Sequence, residues 1–123
     1  MTIDPNRLDV LALALAKATD LAAILCIRKE IQAFLVALAA DGTPHAQRAQ
    51  RLRARTRRRA RDLRRRSELK AGEMLAMMRD RGQTRKAPPL ATLGLGWGTA
   101  MRWERRAREA RQDENHADVA APT

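Results

Sequence analysis

The chain has no tyrosine, one phenylalanine, one cysteine and two histidines among 123 residues. Each shortage removes a class of reading. Cys26 stands alone in an apolar run, which excludes a disulfide framework and a metal-binding thiol pair; its expected state is a buried, reduced thiol. His45 and His116 are far apart in the chain, so no ligand set is spaced for a metal. The hydrophobic fraction of 45% is rich in alanine, which buries little area per residue, so one copy alone would have a thin core. Almost no β-branched or aromatic residues alternate with polar ones, and an all-α chain is expected. The segment GLGWG at 94–98 has no strand before it, so it is not read as a phosphate-binding loop. With no nucleophile–base pair either, nothing points to an enzyme, and no cofactor is implied.

Long uncharged apolar runs are also missing. The run from 10 to 27 is broken by Lys17 and Asp20, and the one from 31 to 40 is too short to cross a bilayer. The opening MTIDPNRLDV carries an acid where a secretory signal needs bases. The expected setting is the cytoplasm.

What the chain does have is positive charge, a formal +11, unevenly placed. Residues 1–43 hold four Lys or Arg against five acids, residues 44–110 hold twenty against six, and residues 111–123 hold one against three. A near-neutral first third joined to a strongly basic middle suggests that one part packs while the other meets a polyanion.

Asp4-Pro5 reads as a helix start, with Asp4 as cap and Pro5 in the first turn. Helix-forming sequence then runs to Ala40, where Asp41-Gly42-Thr43-Pro44 ends it. Thr19-Asp20 is a candidate division of this segment into two helices. Ile24, Ile27, Ile31, Phe34 and Leu38 follow spacings of three and four, a coiled-coil-like seam that Leu13 extends backwards. The seam suits either an oligomer interface, most simply a dimer, or packing against the next helix of the same chain.

From about 45 to 81 there is no proline, and Gly72 is the only glycine, so a long helix is expected. Its weak stripe is Ala49, Leu52, Thr56, Ala60, Leu63, Ser67, Ala71, Met74 and Met78, an eleven-residue period suited to a nearly straight packed helix. Around the stripe, positions 48–66 contain eleven arginines and one acid, Asp62. Guanidinium groups stay ionised and offer forked donors that fit phosphate. The phosphate-gripping candidates are Arg53, Arg55, Arg57, Arg58, Arg59, Arg61, Arg64, Arg65 and Arg66, joined by Arg85 and Lys86 in the loop GQTRKAPP. Such contacts position a protein without specifying sequence.

The stretch LATLGLGWGTAMRW at 90–103 reads as a short helix over 90–93, a left-handed turn at Gly94, a buried Leu95, and a second helix from about 96 to 111. That is the order of a helix-turn-helix unit, whose second helix enters the major groove. Trp97, Thr99, Arg102, Arg105 and Arg106 are the base-proximal candidates, while Trp103 is expected to pack. A simple helical hairpin core accounts for the same spacing. The tail QDENHADVAAPT has little bulky apolar content and is expected to be disordered.

Two of these segments carry a resemblance. Ala60-Arg61-Asp62-Leu63-Arg64-Arg65-Arg66-Ser67-Glu68, continued by Leu69-Lys70-Ala71-Gly72-Glu73-Met74-Leu75, resembles the pattern AEIRLRAERRAGELL, and LATLGLGWGTAMRWERRA resembles LxDLGISKxQSSRWxxLA. KATDLAAILCIRKEIQAF is similar to the N-terminal helix of the same proteins, so the likeness covers roughly 15–107. These are small, mostly uncharacterised helical proteins of bacterial prophages and mobile elements, with a helix-turn-helix-like unit at the C-terminal end. The resemblance implies DNA binding and a regulatory role. It departs where base contacts would be made: Gly96-Trp97 replaces Ser-Lys, and Thr99-Ala100-Met101 replaces Gln-Ser-Ser, leaving Arg102 beside Thr99.

The sequence thus predicts an all-α chain in four parts. Residues 1–43 are packing helices that also serve oligomerisation, 44–82 a long basic helix, 83–111 a helix-turn-helix-like pair, and 112–123 an acidic disordered tail. The expected function is binding of double-stranded DNA as a small regulator or accessory protein of a phage or mobile element. The alternatives are docking of the basic helix on an acidic protein, and RNA binding by the same helix.

Overall fold

In the computed structural model, residues 4–42, 45–81 and 94–120 are described, with side chains of the last helix described as far as 114. The fold is all-α: α1 (Asn6–Lys17), α2 (Leu21–Ala40), α3 (Gln47–Asp80) and α4 (Trp97–Ala120). The chain forms two compact units, 1–67 and 68–123, and the division falls inside α3. The boundaries expected from the sequence lie instead at the ends of that helix. The difference has a simple cause: the two halves of α3 belong to different hydrophobic cores.

In the first unit, local chemistry decides that the N-terminal segment is two helices. The Asn6 N–H donates to Asp4 Oδ1 at 3.0 Å at the start of α1. Ala18 is extended and ends that helix. Asp20, also extended, accepts at Oδ1 from the Ala23 N–H at 2.7 Å. An Asp cap of this kind satisfies one of the orphan donors of a new helix, so three residues suffice to stop one helix and start the next. After α2, Gly42 adopts φ +70°, the left-handed conformation that commonly follows a helix end.

Leu8, Leu11 and Leu15 of α1 are buried, as are Leu21, Ile24, Ile31, Phe34 and Leu38 of α2. The seam read as a possible dimer contact is therefore covered within one chain at Ile24, Ile31, Phe34 and Leu38, while Ile27 is half-buried. Its apolar surface is taken up by the unit's own core, which corrects its assignment to oligomerisation. Leu13 does not extend it: that side chain is 58% exposed, because α1 turns Leu8, Leu11 and Leu15 inward instead. Cys26 is exposed rather than buried, on the side of α2 away from the seam.

The N-terminal part of α3 adds Thr56, Ala60, Leu63 and Ser67 to this core. Two are hydroxyl residues, each satisfied within its own helix: Thr56 Oγ1 donates to the Leu52 carbonyl at 2.9 Å, and Ser67 Oγ donates to the Arg64 carbonyl. Such back-bonding lets a polar side chain occupy a core face without an unmet hydrogen bond. The predicted stripe fails at its start, where Ala49 and Leu52 are exposed. Around Asp9, Arg7 and Glu30 the surface is tied by ion pairs, Arg7 to Glu30 at 3.1 Å and Arg59 to Asp9.

The second unit is built on close approach. Gly72 lies against the backbone of α4: a Cβ there would sit 2.2 Å from the Trp103 carbonyl oxygen and 3.1 Å from the Ala107 methyl. Only glycine allows that contact. The stripe continues at Ala71, but the predicted Met74 and Met78 are half-buried, and Gly72, Leu75 and Ala76 are buried in their place. They face Ala100, Trp103, Glu104 and Ala107 of α4, with Leu95 also buried. Gly94 has φ +72°, the left-handed turn the sequence anticipates. The helix after it is longer than expected. It continues to Ala120, so the order expected to stop at 111 extends through most of the stretch read as a disordered tail, where Ala117 and Ala120 favour helix. The short helix expected over 90–93 lies outside the described residues.

A candidate nucleic-acid interface

The eleven arginines of 48–66 fall into two groups. Four are engaged by the protein itself. Arg53 donates through Nη2 to the Leu38 carbonyl near the end of α2, one of the carbonyls that lack a helical partner. Its Nε is buried without a partner. Arg59 reaches Asp9, Arg64 donates to Gln32 Oε1 at 2.8 Å, and Arg66 pairs with Asp62 one turn back at 3.0 Å. Arg53 and Arg64 are half-buried. For these two, the phosphate-gripping role is corrected: their guanidinium groups hold α2. Arg59 and Arg66 keep half or more of their side-chain surface in solvent, at 50% and 68%, and exposed pairs of this kind are weak.

The other seven are Arg48, Arg51, Arg55, Arg57, Arg58, Arg61 and Arg65, all exposed and without a side-chain partner among the described residues. Core positions at 56, 60, 63 and 67 fix the inward side of the helix. At about 100° per residue, Arg51, Arg58 and Arg65 then fall opposite it, with Arg55 and Arg61 flanking them. The row from Arg51 to Arg65 spans about 21 Å at 1.5 Å per residue. The helix is thus basic on its outer side rather than all round. Arg48 and Arg51 belong to this group although the sequence candidates began at Arg53. Arg85 and Lys86 lie outside the described residues.

The base-proximal candidates on α4 do not share one face. Arg102 and Arg105 are exposed on the side opposite Ala100, Trp103 and Ala107, with Arg102 Nη2 3.5 Å from Thr99 Oγ1. Thr99 is half-buried. Arg106 is exposed and 4.0 Å from Glu68. Trp97 is 65% exposed but stands about 140° round the helix from Arg102. It lies under a guanidinium: the carbon of the Arg79 head group is 5.6 Å from the ring centroid.

That guanidinium belongs to a cluster the sequence reading missed. Glu104 is 5% exposed and accepts from Arg79 Nε at both carboxylate oxygens, 2.8 and 3.0 Å. Arg79 Nη2 also lies 3.1 Å from Met101 Sδ. Arg108 donates to Asp80 at 2.9 Å and to Glu104 at 3.2 Å. Its bonds to Asp80 first, then Glu104, raise the Arg108 pKa further above the ordinary arginine value. The signal was available in spacing: Ala100, Trp103, Glu104 and Ala107 define one helical face with a glutamate on it. A buried carboxylate demands cations, and the arginines nearest it are structural.

Among the described residues, no group of three or more His, Cys, Asp and Glu could hold a metal, and no helix is long and apolar enough to cross a membrane. Comparison with known protein families, curated proteins and solved structures finds no match for the chain.

Proposed function

We propose that the chain binds double-stranded DNA, gripping its phosphates with the outer side of α3. The observation that carries this reading is the set of seven exposed arginines between 48 and 65 that have no side-chain partner among the described residues. Seven like charges within eighteen positions repel one another, and a phosphate array relieves that repulsion. The row spans about six base-pair steps of duplex axis at 3.4 Å each. Arg102 and Arg105, exposed on α4, are the residues proposed to approach bases, and Trp97 does not share their row. With the resemblance at 60–75 and 90–107, this makes the chain a small accessory or regulatory protein of a phage or mobile element, working at the nucleoid.

The test is titration of a short duplex at several salt concentrations. About six phosphate contacts give a log–log slope of roughly −5. Replacing Arg51, Arg58 and Arg65 together by Gln is expected to make the slope shallower by about 3 and to lower affinity about a hundredfold near 100 mM salt. Unchanged affinity in the triple variant removes α3 as the grip. Tighter binding to structured RNA than to duplex DNA reassigns the partner, and binding to neither moves the basic face to an acidic protein. Replacement of Arg102 and Arg105 by Ala reports on base reading through loss of preference among sequences.

A further inference from the structure

We infer that Trp97 is a stacking platform for an unpaired nucleobase, so that the chain takes single-stranded DNA at the start of α4. The inference rests on the reading that the chain binds nucleic acid, and names a form of it that the arginine row does not select.

The two tryptophans of α4 are treated differently by the fold. Trp103 is 5% exposed and packs; Trp97, six residues earlier, is 65% exposed. Tryptophan is usually well buried, so an indole left in water is informative. This one is also held in place. Arg79 lies against the ring at 5.6 Å and is itself fixed by two bonds to Glu104 and by Met101 Sδ. Glu104 is fixed in turn by Arg108, and Arg108 by Asp80. A backing cation so anchored orients the indole before any ligand arrives, which lowers the ordering cost of binding.

The surroundings suit a flat ring. Gly96 and Gly98 flank Trp97, and a Cβ at either would meet nothing within 4 Å. Neither glycine has a positive φ. Backbone geometry and packing therefore do not require glycine at these positions, and bare backbone on both sides leaves the indole open to approach. Arg81, two residues beyond Arg79, is exposed and has no side-chain partner among the described residues, and it supplies a cation for the phosphate of a stacked nucleotide. In a duplex each base face is covered by its neighbours, so a ring on a rigid helix meets a base face only where bases are unpaired.

The experiment titrates the full chain with an oligothymidylate of about 12 nucleotides and, separately, with a duplex, following tryptophan fluorescence and affinity. Because Trp103 is buried, quenching by the single strand reports Trp97. Trp97→Ala is expected to abolish the quenching and weaken single-strand binding about five- to a hundredfold, with duplex affinity changed less than about twofold. Trp97→Phe, which keeps a ring, is expected to retain most single-strand affinity. Unquenched fluorescence with equal single-strand affinity in Trp97→Ala and the natural chain overturns the stacking role while leaving the arginine grip standing. Failure of the natural chain to bind either probe overturns both readings.

Discussion

Arginine does opposite things in the two halves of this chain. Along 48–65 most guanidinium groups face solvent without a side-chain partner among the described residues, because the core-facing positions are Thr56, Ala60 and Leu63 and one acid, Asp62, interrupts the run. In the second unit Arg79 and Arg108 converge on Glu104, a carboxylate with 7% of its side chain exposed. A count of arginines says that both regions are basic. A count of partners says that the first offers most of its charge, while in the second Arg79 and Arg108 are engaged by Glu104 and Arg81, Arg102 and Arg105 stay exposed. Availability of charge, and with it the case for a polyanion partner, is set by pairing rather than by composition.

Breaking the second unit should have the larger effect on folding. Gly72→Ala places a methyl group against the Trp103 carbonyl, and overpacking against backbone is expected to cost about 3 kcal/mol, read as a lowered urea midpoint. Glu104→Ala leaves Arg79 and Arg108 without their shared acceptor. Breaking a buried pair costs about 3–5 kcal/mol, but Arg79 is 38% exposed and water takes over part of the lost bond, so about 2 kcal/mol is expected. The sharpest contrast lies within α3 itself. Arg53→Met removes a donor from the Leu38 carbonyl and is expected to cost about 1–2 kcal/mol of stability. Arg58→Gln, on the outer side, is expected to change stability by less than about 0.5 kcal/mol while weakening duplex binding. Equal stability loss in the two variants would erase the distinction between holding and offering arginines.

Arg108 holds its proton more tightly in the folded chain than an ordinary arginine does. With Asp80 and Glu104 ionised, its contribution is therefore present at neutral pH and is lost as pH rises through strongly alkaline values.

Helical class, the left-handed turn at Gly94, the inward position of Trp103 and the stop at Asp41-Gly42 were all legible in the residues, because each rests on local chemistry or on helical period. The partner of a helix face was not. The seam from Ile24 to Leu38 fits a second copy and the same chain equally well by spacing, and only the burial of Leu8, Leu11 and Leu15 beside it shows which applies. The free and held arginines look alike in sequence, since Asp9 and Gln32, which hold Arg59 and Arg64, lie fifty and thirty-two positions away. Trp97 and Arg102 seemed to belong together because they are close in sequence, although five helical positions carry a side chain well round the helix. The extension of α4 is not legible from hydrophobicity, which is low beyond 111, because helix propensity needs no apolar face.

The three-residue link between α1 and α2 also bears on how the chain acquires its fold. Ala18, Thr19 and Asp20 let two helices turn back on each other so that Arg7 meets Glu30. Closing so short a loop costs little chain entropy, and contacts between sequence neighbours are the ones that form fastest. The leucines of α1 and the isoleucines of α2 are therefore expected to form a local nucleus, with the arginine helix, joined by the longer connection from 41 to 46, packing onto it afterwards.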